Sequence, residues 1–128
     1  MDAKTPDELP LVFERHFNAG DVAGLMADYY APNATYAPLP GQIVWGEGVR
    51  PSIASLVSLG HEMKVVVRQV MRSDDVALLI VDWEIPAIGL TGTATDIARM
   101  GQDGTWRCVI DNPHGTAREV AGMPPSGV

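Results

Sequence analysis

Apolar positions along the chain fall into two regimes, helical up to about residue 60 and extended beyond it. Leu9, Val12, Phe13 and Phe17, with His16 among them, recur at three- and four-residue steps, the spacing of one buried helix face. Thr5-Pro6-Asp7-Glu8 reads as the start of that helix. Thr5 caps it, Pro6 takes the first turn where a missing N–H is harmless, and Glu8 reaches back. Gly20 stops the helix in a left-handed conformation and Asp21 caps a second, short one with Val22, Leu25, Met26 and Tyr29 inward. Ala31-Pro32-Asn33 ends this second helix, because proline disfavours helix at the residue before it. A third helix is predicted from about Gly48 to Leu59, with Val49, Ile53, Leu56 and Val57 inward and Pro51 in its first turn.

Four extended runs follow: Lys64 to Met71, Ala77 to Pro86, Thr91 to Met100 and Thr105 to Asn112. Ser73-Asp74-Asp75, Ile88-Gly89 and Asp103-Gly104 supply the turns between them. Helices first and a strand meander afterwards predict an α+β domain, an antiparallel sheet with helices on one face. Strands this apolar on both sides need the other face covered too. A second copy of the chain is the simplest cover, so a homodimer joined through the sheet is expected. One domain spans residues 1–118, and 119–128 reads as a flexible tail.

Asp103-Gly104 is a strong signal for a two-residue hairpin of the type that needs positive φ at both central positions. A two-residue loop sets Asp96 directly opposite Asp111, Ala98 opposite Val109 and Ala94 opposite Pro113 on one face. Ile97 then meets Ile110, and Thr95 meets Asn112, on the other. Carboxylates facing each other at about 5 Å repel. If their face is buried, one of them holds its proton at neutral pH and becomes an acid or hydrogen-bond donor. The alternative is a wet face, or one on which Arg107 and backbone groups satisfy both acids. Asp82 and Glu84 alternate with Val81, Trp83 and Ile85 on the preceding run, either as its solvent-facing half or as an enlargement of an acidic pocket.

Composition narrows the functional classes. The 128 residues are 46% apolar, enough for one core, and carry a formal net charge of −7 with no basic run, which disfavours nucleic acid as a partner. No stretch approaches the roughly 18 apolar residues of a membrane span, and no signal sequence is recognisable. The lone Cys108 offers no internal disulfide, is expected to be inert in mid-strand, and fits a reducing, cytoplasmic setting. Without a phosphate loop or a metal-ligand cluster, no cofactor or metal is expected.

Four motifs carry a resemblance. Phe17-Asn18-Ala19-Gly20-Asp21, Tyr30-Ala31-Pro32-Asn33-Ala34-Thr35, Gly46-Glu47-Gly48-Val49-Arg50 and Asp103-Gly104-Thr105-Trp106-Arg107 occur in order. Together they resemble the SnoaL-like branch of the NTF2/ketosteroid-isomerase superfamily over about residues 8–115. The resemblance implies a cystatin-like cone: three N-terminal helices packed on a strongly bent antiparallel sheet, around a deep and mostly apolar pocket, in a dimer joined through the sheet. It implies no single chemistry. Asp96 stands where the steroid isomerases keep a protonated aspartate, eight residues before the hairpin glycine Gly104. Their base would fall at Ala37 and their oxyanion tyrosine near Val12, so two of three parts are missing. Beside the limonene epoxide hydrolases, Asp111 and Glu84 match the two carboxylates and Tyr36 a water-positioning tyrosine, but Asp82 replaces the arginine between them. Beside the polyketide cyclases, Asp96 or Asp111 would serve as base next to a carbonyl.

The implied site therefore has Asp96 and Asp111 as its chemical groups and a small, largely apolar organic molecule as its ligand. Tyr36 and Trp45 flank the Pro38-Leu39-Pro40-Gly41 loop at the expected pocket mouth. His16 is either a structural histidine or a pocket residue, and His114, after Pro113, either a proton shuttle or a loop residue. The open alternatives are a cofactor-independent acid/base enzyme, a ligand carrier or sensor, and a dimerising association domain.

Overall fold

The computed structural model describes residues 2–120. A 3-10 turn over Pro6–Glu8 leads into α1, Leu9–Asn18. Glu8 does reach back, but to the Lys4 N–H at 3.2 Å, while the Thr5 hydroxyl donates to its other oxygen at 3.1 Å. Thr5 therefore braces Glu8 instead of capping a helical N–H. Gly20 turns the chain with φ 71° and the Asp21 carboxylate accepts from the Gly24 N–H at 2.8 Å, as the sequence predicts. α2, Val22–Gly24, continues as a π turn over Leu25–Tyr29. α3 is Val49–Val57, entered through a turn at Gly46–Gly48.

The sheet has six strands in the order β2-β1-β6-β5-β4-β3. The four predicted runs form β3 (Lys64–Ser73), β4 (Val76–Ile85), β5 (Leu90–Met100) and β6 (Trp106–Asp111). The two unpredicted strands are β1 (Tyr30–Leu39) and β2 (Gln42–Trp45). Their segment carries Pro32, Asn33, Pro38 and Pro40, which read as breakers and loop. In the structure Pro32 and Asn33 (φ 61°) fall where the β1–β6 pairing is interrupted between Tyr30 and Thr35. Pro38 falls in the β1–β2 irregularity between Tyr36 and Leu39. Each proline thus sits where no ladder N–H is needed.

Because β1 runs parallel to β6, the sheet is mixed and not purely antiparallel as expected. The apolar period reports which face a side chain takes, not the direction of its neighbour strand. Along β4, Ala77, Leu79, Val81, Trp83 and Ile85 point inward, joined from β5 by Ala94, Asp96 and Ala98. The helices cover this face. Asn18 fixes the covering in place by accepting from the Met63 N–H (2.8 Å) and donating to its carbonyl (2.9 Å). Glu14 accepts from the Val65 N–H at 2.7 Å, so α1 pins the entry to β3. No helix of the described residues is long and apolar enough to cross a membrane. Val120 is buried against the fold, whereas residues 121–128, most of the expected tail, lie outside the described residues.

Candidate functional site

Asp96 and Asp111 do face each other, by a route that differs from the simple hairpin. The Gly101 N–H donates to the Thr105 carbonyl (2.8 Å) and the Gly104 N–H to Gly101 (3.0 Å), leaving a three-residue loop with Gly104 at φ 79°. Met100 then pairs with Trp106, Arg99 with Arg107 and Ala98 with Cys108, not Val109. A bulge between Ala98 and Ile97 restores the expected register, with Ile97 opposite Ile110 and the Thr95 N–H donating to the Asn112 carbonyl at 3.1 Å. One extra residue in the loop is cancelled by one in β6. Asp96 and Asp111 share the inner face between those pairs, each only 5% exposed.

Asp96 Oδ1 accepts from the Asn112 backbone N–H at 2.8 Å, and the buried Tyr30 hydroxyl donates to Asp111 Oδ2 at 2.5 Å. The two carboxyls are hydrogen-bonded to each other. Burial, and then the Asp111 charge, push Asp96 well above the usual carboxylate range. Burial also raises Asp111, to about 6, against the opposing hydrogen bonds from Tyr30 and Asp96. At neutral pH Asp96 therefore holds the shared proton and Asp111 is the carboxylate that accepts it. Arg107, the sequence's other way of satisfying both acids, instead bonds the Ala27 carbonyl, Asp103 and Thr105.

The pair forms the polar floor of a cavity of about 380 Å³. Its walls include Phe13 from α1, Ile53 and Leu56 from α3, Val81 and Trp83 from β4, and Ala94 from β5. Tyr36 is buried, lines the cavity, and its hydroxyl is pushed above its ordinary pKa by burial and by both carboxyls. His114 also lines it. Asn112 holds the segment after β6 through Thr95 Oγ1 (3.0 Å) and the Gly115 carbonyl (3.1 Å), and His114 Nε2 lies 3.1 Å from the Pro38 carbonyl. Since a carbonyl only accepts, Nε2 carries the proton in that contact. Burial lowers the pKa of this imidazole.

Three expected pocket residues lie elsewhere. Trp45 is 66% exposed. It pairs with Thr35 while Val44 pairs with Tyr36, and cross-strand partners share a face, so the inward turn of Tyr36 sends Trp45 outward. Glu84 has the parity opposite to Trp83 and lines an outer groove with Lys64, Asp82 and Thr93. Asp82 there is tied to Arg68 (2.6 and 3.0 Å) and Thr93 (2.8 Å), the solvent-facing alternative. His16 is occupied by Asp28 (2.8 Å) and Asp21 (3.3 Å) and holds α1 to the following turn.

Sequence reasoning missed two contributors. Tyr30 was visible as part of a motif, but nothing in its spacing pointed at Asp111. Trp83 lines the cavity and donates from Nε1 to the Pro113 carbonyl at 2.6 Å. Cys108 is fully buried, its thiol pushed up by burial and by the two acids, as inertness requires. No metal-holding group of three His, Cys, Asp or Glu occurs among the described residues.

Comparisons give the architecture a context. No family model and no curated protein matches the sequence. Solved structures do. A Thiobacillus denitrificans protein described as a calcium/calmodulin-dependent protein kinase type II association domain is similar at 19% identity, over 91% of this chain and 99% of that one, with a TM-score of 0.72. A Streptomyces avermitilis protein described as a dehydratase of the NTF2-like family matches at 17% identity over 88% and 99%, TM-score 0.70. An NTF2-like protein of unknown function from Silicibacter pomeroyi matches at 16% over 82% and 87%, TM-score 0.64. The fold of this chain is NTF2-like.

Proposed function

We propose that this NTF2-like chain is a SnoaL-like protein that takes up a small, largely apolar organic molecule and performs cofactor-independent acid/base chemistry on it, of the cyclase, isomerase or hydrolase kind. The observation that supports this most directly is the buried Asp96–Asp111 pair at the floor of an apolar cavity. Paired carboxyls with pKa values pushed apart provide an acid and a base in one place. Asp96, protonated, would donate to a ligand oxygen while Asp111 accepts a proton from carbon or water beside it. Tyr36, which lines the same cavity and feels the charge of both acids, would add a second donor. His114, which lines the cavity, would be a further ligand contact.

The association-domain reading draws on the Thiobacillus neighbour, and the carrier reading on the cavity alone. An association domain has no need of an open cavity of about 380 Å³, which favours a ligand. A homodimer through the outer sheet face is part of the proposal, because apolar side chains cross that face in register. A reducing, cytoplasmic setting is likewise retained.

Deuterium exchange is the test. The protein is incubated in D2O with a panel of small cyclic ketones, and exchange next to the carbonyl is followed by NMR. Catalysed exchange that disappears in Asp111→Asn, in a variant that melts no lower than wild type, is the expected result. Tight ketone binding without exchange would favour the carrier, and a cavity that takes up neither ketones nor amines the association domain.

A further inference from the structure

We infer that the cavity is built for a cationic ligand, an apolar amine whose ammonium group sits against the Asp96–Asp111 pair and whose hydrocarbon part fills the aromatic-walled space above it. This inference rests on the cavity being a ligand site, as proposed above, and specifies the charge of what enters.

The site has an unbalanced charge. Two carboxyls sharing one proton carry one negative charge, and among the described residues neither makes an ion pair. No lysine or arginine lines the cavity among the described residues, and its one imidazole, His114, donates to Pro38. Neighbouring titratable groups give no relief. Tyr29, Tyr30, Tyr36 and Cys108 pack around the pair, and all are acids that would add negative charge if they ionised. A buried anion whose partners among the described residues are the hydrogen bonds from Tyr30 and Asp96 lacks there the counter-charge that buried ions ordinarily have.

A neutral ketone would leave that charge in place. An anion would meet repulsion from the pair and from the whole molecule, at a formal net charge of −7. An ammonium group supplies the missing cation, and its three N–H donors suit two carboxyls better than one hydroxyl does. The walls agree. Phe13, Tyr29, Tyr36 and Trp83 line the cavity, and aromatic rings attract a desolvated cation while accepting its apolar body.

The experiment compares phenethylamine with phenethyl alcohol, which share an apolar body and differ in the terminal group, by calorimetric titration of the whole chain at pH 5 and pH 7.5. At pH 7.5 the amine is expected to bind at least about tenfold tighter than the alcohol. Its affinity should rise roughly tenfold from pH 5, as Asp111 goes from about a tenth ionised to almost fully ionised. The affinity of the alcohol should not rise. Asp111→Asn should abolish the preference for the amine over the alcohol. Should that variant fail to fold, the wild-type comparison across pH still decides. Equal affinities, or an amine affinity independent of pH, would overturn the inference while leaving a neutral-ligand site standing. Binding of neither probe would overturn both.

Discussion

Tyr30 and Asp111 come from opposite ends of the chain, yet the hydroxyl of one donates to the carboxylate of the other at 2.5 Å with both side chains buried. Parallel pairing of β1 with β6 makes this possible by setting the start of β1 beside Cys108. A hydrogen bond to a buried charge is worth more than one between neutral groups. Tyr30→Phe should therefore cost about 1–3 kcal/mol in denaturant unfolding at pH 7.5, and less at pH 5 where Asp111 is largely protonated. It should also raise the Asp111 pKa further, read by carboxyl NMR titration. An equal loss at both pH values would show that Tyr30 contributes packing and not a donor to the charge.

Stability should fall as pH rises past neutrality's acid side. Asp111 is moved from 3.8 to about 6, and Asp96 is moved up further. Raised carboxyls bind protons more readily in the fold than in the open chain. The Asp111 contribution is full below about pH 4 and is lost as pH climbs through about 6, and that of Asp96 goes on being lost at higher pH. For Asp111 this amounts to about 3 kcal/mol. His114, lowered by burial, works in the opposite direction across part of the window. Asp82 and Asp103 are lowered and titrate below it. Unfolding at pH 5 and pH 7.5 should show the wild type less stable at the higher pH. Asp111→Asn should melt higher than wild type at pH 7.5 and lose most of the difference, since the amide keeps an acceptor for Tyr30 without the buried charge.

The sequence made the carboxyl pair legible because two local departures from regularity cancelled. Asp103-Gly104 marked a hairpin, and nothing in it revealed the extra loop residue or the compensating bulge near Val109. Helix ends at Gly20 and Asp21 and the four later strands were readable because capping and turn chemistry act over a few residues. β1 and β2 were not, since Pro32 and Pro38 look like breakers until an interrupted ladder absorbs them. Among the site residues, Asp96, Asp111, Tyr36 and His114 gather at the cavity, where strand parity and the hairpin place them. Trp45, Glu84 and His16 depend on register against a partner strand or on tertiary hydrogen bonding, neither of which a single sequence displays.

Gly92 shapes the cavity wall from behind. A Cβ at this position would lie 2.6 Å from the Trp83 indole, inside any allowed contact. Trp83 pairs across the ladder with Gly92 and is anchored through Nε1 to Pro113, so the ring has little room to retreat. Gly92→Ala should destabilise the fold by about 1–3 kcal/mol and push the indole toward the cavity. Ligand affinity should fall more for bulky probes than for small ones, which titration with a homologous series of phenylalkylamines would check. A uniform loss across the series would place the damage outside the cavity.

On the outer face, Met71 pairs with Leu78, Leu78 with Ile97, Ile97 with Ile110, Ile110 with Thr35, and Thr35 with Trp45, a single transverse row across all six strands. Cross-strand neighbours share a face, so this row is continuous, and Met71, Ile110 and Trp45 are 47%, 44% and 66% exposed in the isolated chain. The proposed homodimer would bury this contiguous apolar band. Through the sheet it faces away from the cavity, so a charge placed there should act on assembly and leave the Asp96–Asp111 pair untouched. Ile110→Lys is the sharpest case, because its side chain lies at the centre of the row while its neighbour Asp111 points inward. Light scattering behind size-exclusion chromatography should show the wild type at twice the chain mass and Ile110→Lys at one chain mass. Amine binding and its pH dependence should survive in the variant. A wild type that runs as a monomer would remove the dimer from the proposal, and a variant that loses binding with its partner would mean that the second copy completes the cavity.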